Sequence, residues 1–153
     1  MRKNYPVTGR EFKIPAGATL MSTTDTKSNI TYANSVFISV SGFDKNELIG
    51  SAHNLVRHPD MPQEAFADMW KTLMAGKSWT ALVKNRRKDG DHCWVRASAT
   101  PVVRDGREAG YMSVRKKPSS SEIQKAESLY KKSVKKKPDR ERFIRAWSFK
   151  KEF

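Results

Sequence analysis

Between Trp79 and Lys116 the hydrophobic period is two, and two Asp-Gly pairs, Asp89-Gly90 and Asp105-Gly106, cut the stretch into three segments. Alternation places successive side chains on opposite faces of a strand, and Asp-Gly between alternating runs is a strong hairpin signal. In the first segment Trp79, Ala81, Val83 and Asn85 share one face, and Thr80, Leu82, Lys84 and Arg86 the other. The second, about 91–104, sets His92, Trp94, Arg96 and Ser98 against Cys93, Val95, Ala97 and Ala99, and the third runs from Glu108 to Lys116. Three strands joined by tight turns form an antiparallel meander, and such a sheet must be covered on at least one face.

The cover is legible upstream. Thr19–Asp25 and Asn29–Ala33 read as two short strands separated by a hairpin-sized gap. Asn34 reads as an N-cap ahead of Val36, Phe37 and Val40 at helical spacing, with Gly42 as the stop. Asp44 and Glu47 form a capping-box pattern before a second short helix that Gly50 ends. The polar run His53–Pro62 carries two prolines and is not one regular element. Asp60 is placed to cap a third helix, which aligns Ala65, Phe66, Met69, Trp70 and Leu73 and ends near Gly76. The order β-β-α-α-α-β-β-β predicts an α+β fold, a five-stranded antiparallel sheet with helices packed on one face. A C-terminal helix is expected over Ser119–Lys137, ended by Pro138. Its stripe of Ile123, Ala126, Tyr130 and Val134 fits either the back of the sheet or a partner helix. The organisation is a loose leader over 1–17, a domain over 18–118, a helix over 119–137 and a basic, aromatic tail over 138–153.

Charge is uneven. The chain has a net charge of +14, and residues 116–153 hold 13 Lys/Arg against 5 Asp/Glu. Such a tail suits nucleic acid, an anionic membrane, an acidic partner or solvent, and charge alone does not rank them. The single cysteine, Cys93, excludes an internal disulfide and suits a reducing compartment. A signal peptide and a membrane-length apolar run are both lacking, as are paired Cys/His clusters at metal spacing. There is no P-loop, no G-x-G-x-x-G and no G-x-S-x-G. His92 beside Cys93 points to the opposite face of its strand, so it cannot activate the thiol. An enzyme is therefore not the expected class.

Two constellations suggest binding. His53, Arg57, His58 and Asp60 stand just ahead of a helix N-terminus, where unpaired N–H groups and partial positive charge favour anions. Arg57 can fork onto a phosphate there; alternatively it pairs with Asp60 or Asp68 and the histidines face solvent. Trp79 and Asn85 share a strand face with small Ala81 between them, and an aromatic cover plus an amide suits a flavin or purine pocket. Asn34 is a similar candidate. The plainer alternatives are a core aromatic for Trp79 and a helix cap for Asn34.

At these residues the chain resembles a known family. Thr19–Asp25, Ile30–Asn34 and Val40-Ser-Gly-Phe43 look like the opening of a PAS domain. His53–Pro62 (HNLVRHPDMP), Ala65–Trp70, Val83–Lys88, Gly90–Arg96 and Gly110–Arg115 are similar, nearly word for word, to the PAS domain of bacterial aerotaxis receptors. The likeness runs over about 17–134. It implies a PAS fold with FAD held non-covalently between helices and sheet. Arg57, His58 and Asp60 then fall on positions that the family needs for FAD, and Asn34, His53, Trp79 and Asn85 look like pocket positions. The implied function is a redox sensor for aerotaxis, in which Asn85 re-pairs as the flavin changes redox state. The light-sensing LOV branch uses a cysteine that is missing from the matching His53–Val56 region. Haem ligation by His53, His58 or His92, or a cofactor-free interaction module, is the alternative. The resemblance further implies a cytoplasmic domain, with a tail suited to the inner face of the cell membrane. HAMP and methyl-accepting signalling regions or another signalling protein are the implied partners, a homodimer is a further one, and nucleic acid is not among them.

Overall fold

The computed structural model describes residues 3–135, with side chains as far as Ser133, so the tail expected over 138–153 and the side chain of Val134 lie outside the described residues. The elements are β1 (Thr19–Thr24), β2 (Ile30–Ala33), α1 (Ser35–Ser41), α2 (Lys45–Leu48), a 3-10 turn (His53–Val56), α3 (Gln63–Met74), β3 (Trp79–Arg86), β4 (His92–Arg104), β5 (Arg107–Lys116) and α4 (Ser120–Lys135). The expected order of strands and helices is met. One five-stranded antiparallel sheet has the order β2-β1-β5-β4-β3, so the first and last strands of the chain pair at its centre.

The local signals act as chemistry dictates. Asn34 Oδ1 accepts from Phe37 N at 2.9 Å, capping α1, and from Met21 N at 3.1 Å, while its Nδ2 donates to Thr19 O at 2.9 Å. One amide thus caps a helix and ties it to β1. Glu47 Oε2 accepts from Asp44 N at 2.8 Å, the returning half of a capping box at α2. The cap expected from Asp60 is absent: α3 starts after Pro62, which has no side chain to donate or accept, and Asp60 turns instead to Lys84.

The pleat sorts the sheet into two faces. Trp79, Ala81, Val83, Cys93, Val95, Ala97 and Ala99 are buried toward α1–α3. Leu82 and Trp94 are buried on the other face, under α4. There Tyr130 Oη donates to Leu82 O at 2.6 Å, Tyr130 stacks on Trp94 at 5.8 Å between centroids, and Arg96 forks onto Glu122 at 2.8 and 3.2 Å. Of the two readings of the α4 stripe, the back of the sheet is correct, and the helices therefore cover both faces. Among the described residues no helix is long and apolar enough to cross a membrane.

The leader departs from expectation over its described residues. Glu11 bridges His92 in parallel, on the side of β4 that β5 has already left, with Phe12 N donating to His92 O at 2.7 Å and His92 N to Arg10 O at 2.9 Å. Arg87 stacks over Phe12 at 3.9 Å, and Ile14 is 2 % exposed. Pro6, Gly9, Pro15 and Gly17 suggested looseness, but free β4 hydrogen-bonding groups outweighed them.

Gly110 of β5 lies against the backbone of Thr24 at the end of β1. Its φ is 148°, and a Cβ there would overlap the Thr24 carbonyl oxygen. Gly110→Ala is expected to cost about 3 kcal/mol or more through backbone strain and overlap. Urea unfolding measures it; a loss under ~1 kcal/mol would mean that the two strands separate easily.

Candidate functional site

A cavity of about 290 Å³ lies between the inner sheet face and α3. The sheet contributes Ser22 and Thr24, Trp79, Val83 and Asn85, Ala97 and Ala99, and Tyr111, Ser113 and Arg115. The flank of α3 contributes Phe66, Met69, Trp70 and Leu73, and the 3-10 turn His53, Asn54 and Val56, followed by Arg57. Exposed Lys27 and half-buried Ser28, in the β1–β2 turn, mark the open end. Trp79 at 1 %, Ser22 at 1 % and Arg115 at 4 % exposure mark the closed one.

The apolar wall is held in fixed planes. Trp79 Nε1 donates to Asp68 Oδ2, a buried α3 carboxylate, at 3.0 Å. Trp70 and Tyr111 meet edge to face at 5.2 Å, joining α3 to β5. Small Ala97 and Ala99 on β4 leave the space that larger residues would fill.

The polar lining carries unmet hydrogen-bonding capacity. Thr24 Oγ1, Asn54 Oδ1 and Arg57 Nε are buried and have no hydrogen-bond partner among the described residues. All three residues line this cavity. Such orphans are rare in folded chains and call for a partner. The Arg57 guanidinium lies 3.6 Å over the Phe66 ring, and burial holds its pKa below the ordinary value. The carboxylates suggested as its partners are engaged elsewhere, Asp60 with Lys84 Nζ at 3.0 Å and Asp68 with Trp79.

Four of the seven expected site residues line the cavity together: His53, Arg57, Trp79 and Asn85. Asn34 does not; its amide makes three hydrogen bonds between β1 and α1. His58 and Asp60 do not either. Arg57 and His58 are extended along the edge of β3, where Arg57 bridges Asn85 and His58 N donates to Lys84 O at 3.3 Å, and a turn closed by Met61 N donating to His58 O at 3.1 Å follows. Neighbours in an extended segment point to opposite sides, so Arg57 enters the cavity and His58 turns outward, with its ring 6.0 Å from that of His92. Asp60, 69 % exposed in its side chain, meets Lys84 on the same outer side. The expected three-residue cradle is split by the sheet edge, and α3 offers the cavity its flank rather than its N-terminus. On that outer side Asp60 N donates to His58 Nδ1 at 3.1 Å, within the turn that follows Arg57.

Sequence reading missed Thr24, Asn54, Tyr111 and Arg115. Arg115 and Tyr111 share a period-two face, but Arg115 and Lys116 are both basic and alternation does not say which of them is inside. The register with β1 decides it. Cys93 is buried, with its thiol pushed up to about 12 by burial, so it is no activated nucleophile. Among the described residues no group of His, Cys, Asp and Glu gathers to hold a metal ion.

Two histidines, half-buried His53 and buried His58, give the fold an acid limit. Burial, with the Arg115 charge second, lowers the His53 pKa from 6.5 to about 3; burial, with Lys84 second, lowers His58 to about 4. The unfolded chain takes up these protons near 6.5 and the fold does not, so the stabilisation is complete above 6.5 and is lost as pH falls toward 3. The urea midpoint should drop through that window, less steeply in His53→Gln, which keeps an acceptor for Arg115. Identical pH profiles for the two proteins would show that His53 is already charged in the fold.

Comparison with known proteins agrees with this geometry. Residues 30–115 match the PAS fold family. Over 125 residues the chain is 55 % identical to the aerotaxis receptor of Escherichia coli, covering 82 % of this chain and 25 % of that one. It is 32 % identical over 83 residues to the nitrogen fixation regulatory protein of Klebsiella pneumoniae, covering 54 % and 17 %. The chain thus spans a quarter or less of these relatives. Among solved structures, the PAS domain of a Colwellia psychrerythraea protein superposes with a TM-score of 0.60 at 18 % identity, over 65 % of this chain and 86 % of that one. The light state of the Aureochrome1 LOV photoreceptor gives 0.63 at 18 %, over 71 % and 91 %. The five-stranded sheet, its helical cover and the match across residues 30–115 together establish that this chain belongs to the PAS family.

Proposed function

We propose that this domain binds FAD non-covalently in the cavity under α3 and reports its redox state within a taxis receptor. The carrying observation is that Thr24, Asn54 and Arg57, each with a buried polar atom that has no partner among the described residues, line one aromatic cavity. The residues fit the cofactor. Trp79, fixed by Asp68, and Trp70, set against Tyr111, supply flat apolar surface for a planar ring. Asn85 offers an amide that both donates and accepts at a ring edge. Arg57, with Lys27 at the open end, serves a diphosphate. The similarity to the E. coli aerotaxis receptor supports the same reading.

A bound flavin supplies reversible electron uptake with a change of charge and protonation. The chain's own part is to exclude water and to answer that change. Asn85 can exchange donor for acceptor by rotating its amide, and it shares β3 with Leu82, whose carbonyl holds Tyr130 of α4. Re-pairing at Asn85 therefore reaches the helix on the opposite face, where the downstream partner, a HAMP or methyl-accepting signalling region or another signalling protein, would read it. Haem finds weaker support. His53 is the histidine that lines the cavity, and its Nε2 faces Arg115 at 2.7 Å and Ser22 at 3.1 Å.

The visible spectrum of the purified protein should show flavin bands that dithionite bleaches, with FAD released on heating. A haem band, or a colourless protein that takes up no added FAD, would refute the reading. Arg57→Ala should weaken FAD binding about tenfold or more, the scale of a lost charge-assisted hydrogen bond; unchanged FAD content would remove Arg57 from the site. Asn85→Ser should retain FAD but lose the difference in α4 amide exchange between oxidised and reduced protein. Persistence of that difference would place the route elsewhere.

A further inference from the structure

Arg115 stands on the inner face of β5, 4 % exposed, at the closed end of the cavity. Its Nη1 donates to Ser22 Oγ at 3.1 Å, and its Nη2 lies 2.7 Å from His53 Nε2. Arg cannot accept a hydrogen bond, so His53 Nε2 is the acceptor and the imidazole carries its proton on Nδ1, neutral. The third neighbour is the Phe37 ring, 4.9 Å from the guanidinium carbon. All three are neutral. Among the described residues no carboxylate is ion-paired with Arg115. The other guanidinium in the cavity, Arg57, adds charge of the same sign.

A buried charge without a counter-charge is strongly unfavourable, and structures that keep one usually complete it with something else. The arrangement is built rather than accidental. Ser22 and His53 come from elements brought together by the β1–β5 register and the 3-10 turn, and they aim the guanidinium instead of neutralising it. Because a guanidinium has five N–H donors in one plane, donors remain for a ligand beside these two partners.

We propose that Arg115, aimed by His53 and Ser22, is a ligand-binding group that takes the carbonyl-rich, electron-accepting edge of a planar heterocycle, and that the ligand supplies the electron density the empty domain lacks. This rests on the flavin reading and deepens it. It places the dione edge of the ring at the closed end and leaves the diphosphate to Arg57. Two consequences of opposite sign follow for one substitution. Removing the charge relieves the empty domain and weakens the hold on the ligand. A merely structural arginine does the reverse to the empty domain, since its contacts with Ser22, His53 and Phe37 would be lost.

The test compares thermal midpoints of the flavin-stripped chain, wild type, Arg115→Met and Arg115→Lys, alone and with saturating riboflavin, FAD or ADP. Riboflavin carries the ring without a phosphate, and ADP the diphosphate without the ring. Arg115→Met is expected to raise the midpoint of the empty protein by about 5 °C and to remove at least half of the upward shift that riboflavin produces. Arg115→Lys, which keeps the charge, should retain most of that shift. A lower midpoint for empty Arg115→Met would make Arg115 a structural strut and overturn the proposal, as would an undiminished riboflavin shift. An ADP shift that disappears in Arg115→Met would overturn it in favour of a phosphate site. If neither riboflavin nor FAD shifts the wild type, the flavin reading itself falls and takes this ligand class with it. If both do and Arg115→Met responds equally, only the role of Arg115 falls.

Discussion

The pairing of β1 with β5 is the constraint on which the rest of the domain depends. Six register pairs, from Thr19 with Lys116 to Thr24 with Tyr111, join segments that are far apart in the chain. This contact merges the early hairpin and the late meander into one sheet, and it sets which residues of each point inward. Shifting it by one residue would send Arg115, Ser113 and Tyr111 to the opposite face. The cavity, its charge and the attachment of α1 through Asn34 would all go with them. The approach at Gly110 lets the two strands come this near, and no residue with a side chain meets that requirement.

The domain uses its two sheet faces differently. The inner face is lined by small and aromatic side chains and keeps a cavity beneath α3, with polar atoms held ready but unpaired. The outer face is closed by Leu82, Trp94 and α4, where Arg96 pairs with Glu122 and Tyr130 with a backbone carbonyl, and Trp94 Nε1 is buried without a hydrogen-bond partner among the described residues. One side keeps an open cavity, and the other is filled by a helix. β3 belongs to both, since Asn85 looks inward while Leu82, three residues away, looks outward.

Much of this was readable from residue order. Period-two alternation and the Asp-Gly turns announced the meander, and the caps at Asn34, Asp44 and Glu47 announced the short helices. Trp79 and Asn85 were rightly placed on one inward face because alternation inside a regular strand is unambiguous. The failures came where the chain is irregular or where a distant pairing decides orientation. The run from Arg57 to Asp60 was treated as one patch of like chemistry, and pairing along the edge of β3 divides it. Asn34 was given two roles, but its amide is tied by three hydrogen bonds between β1 and α1, outside the cavity lining. Arg115 escaped because its orientation depends on a register that no local pattern carries.

The leader bears on how the chain can be handled. Asn4 Nδ2 donates to the carbonyl oxygens of Asn54 and Arg57, at 2.9 and 2.8 Å, and Arg86 Nε donates to Pro6 O at 2.8 Å. The N-terminal segment is thus fastened to the peptides that carry two lining side chains. An affinity tag or fusion partner attached there is not a neutral handle: a load on it is borne first by the peptide groups beside Arg57.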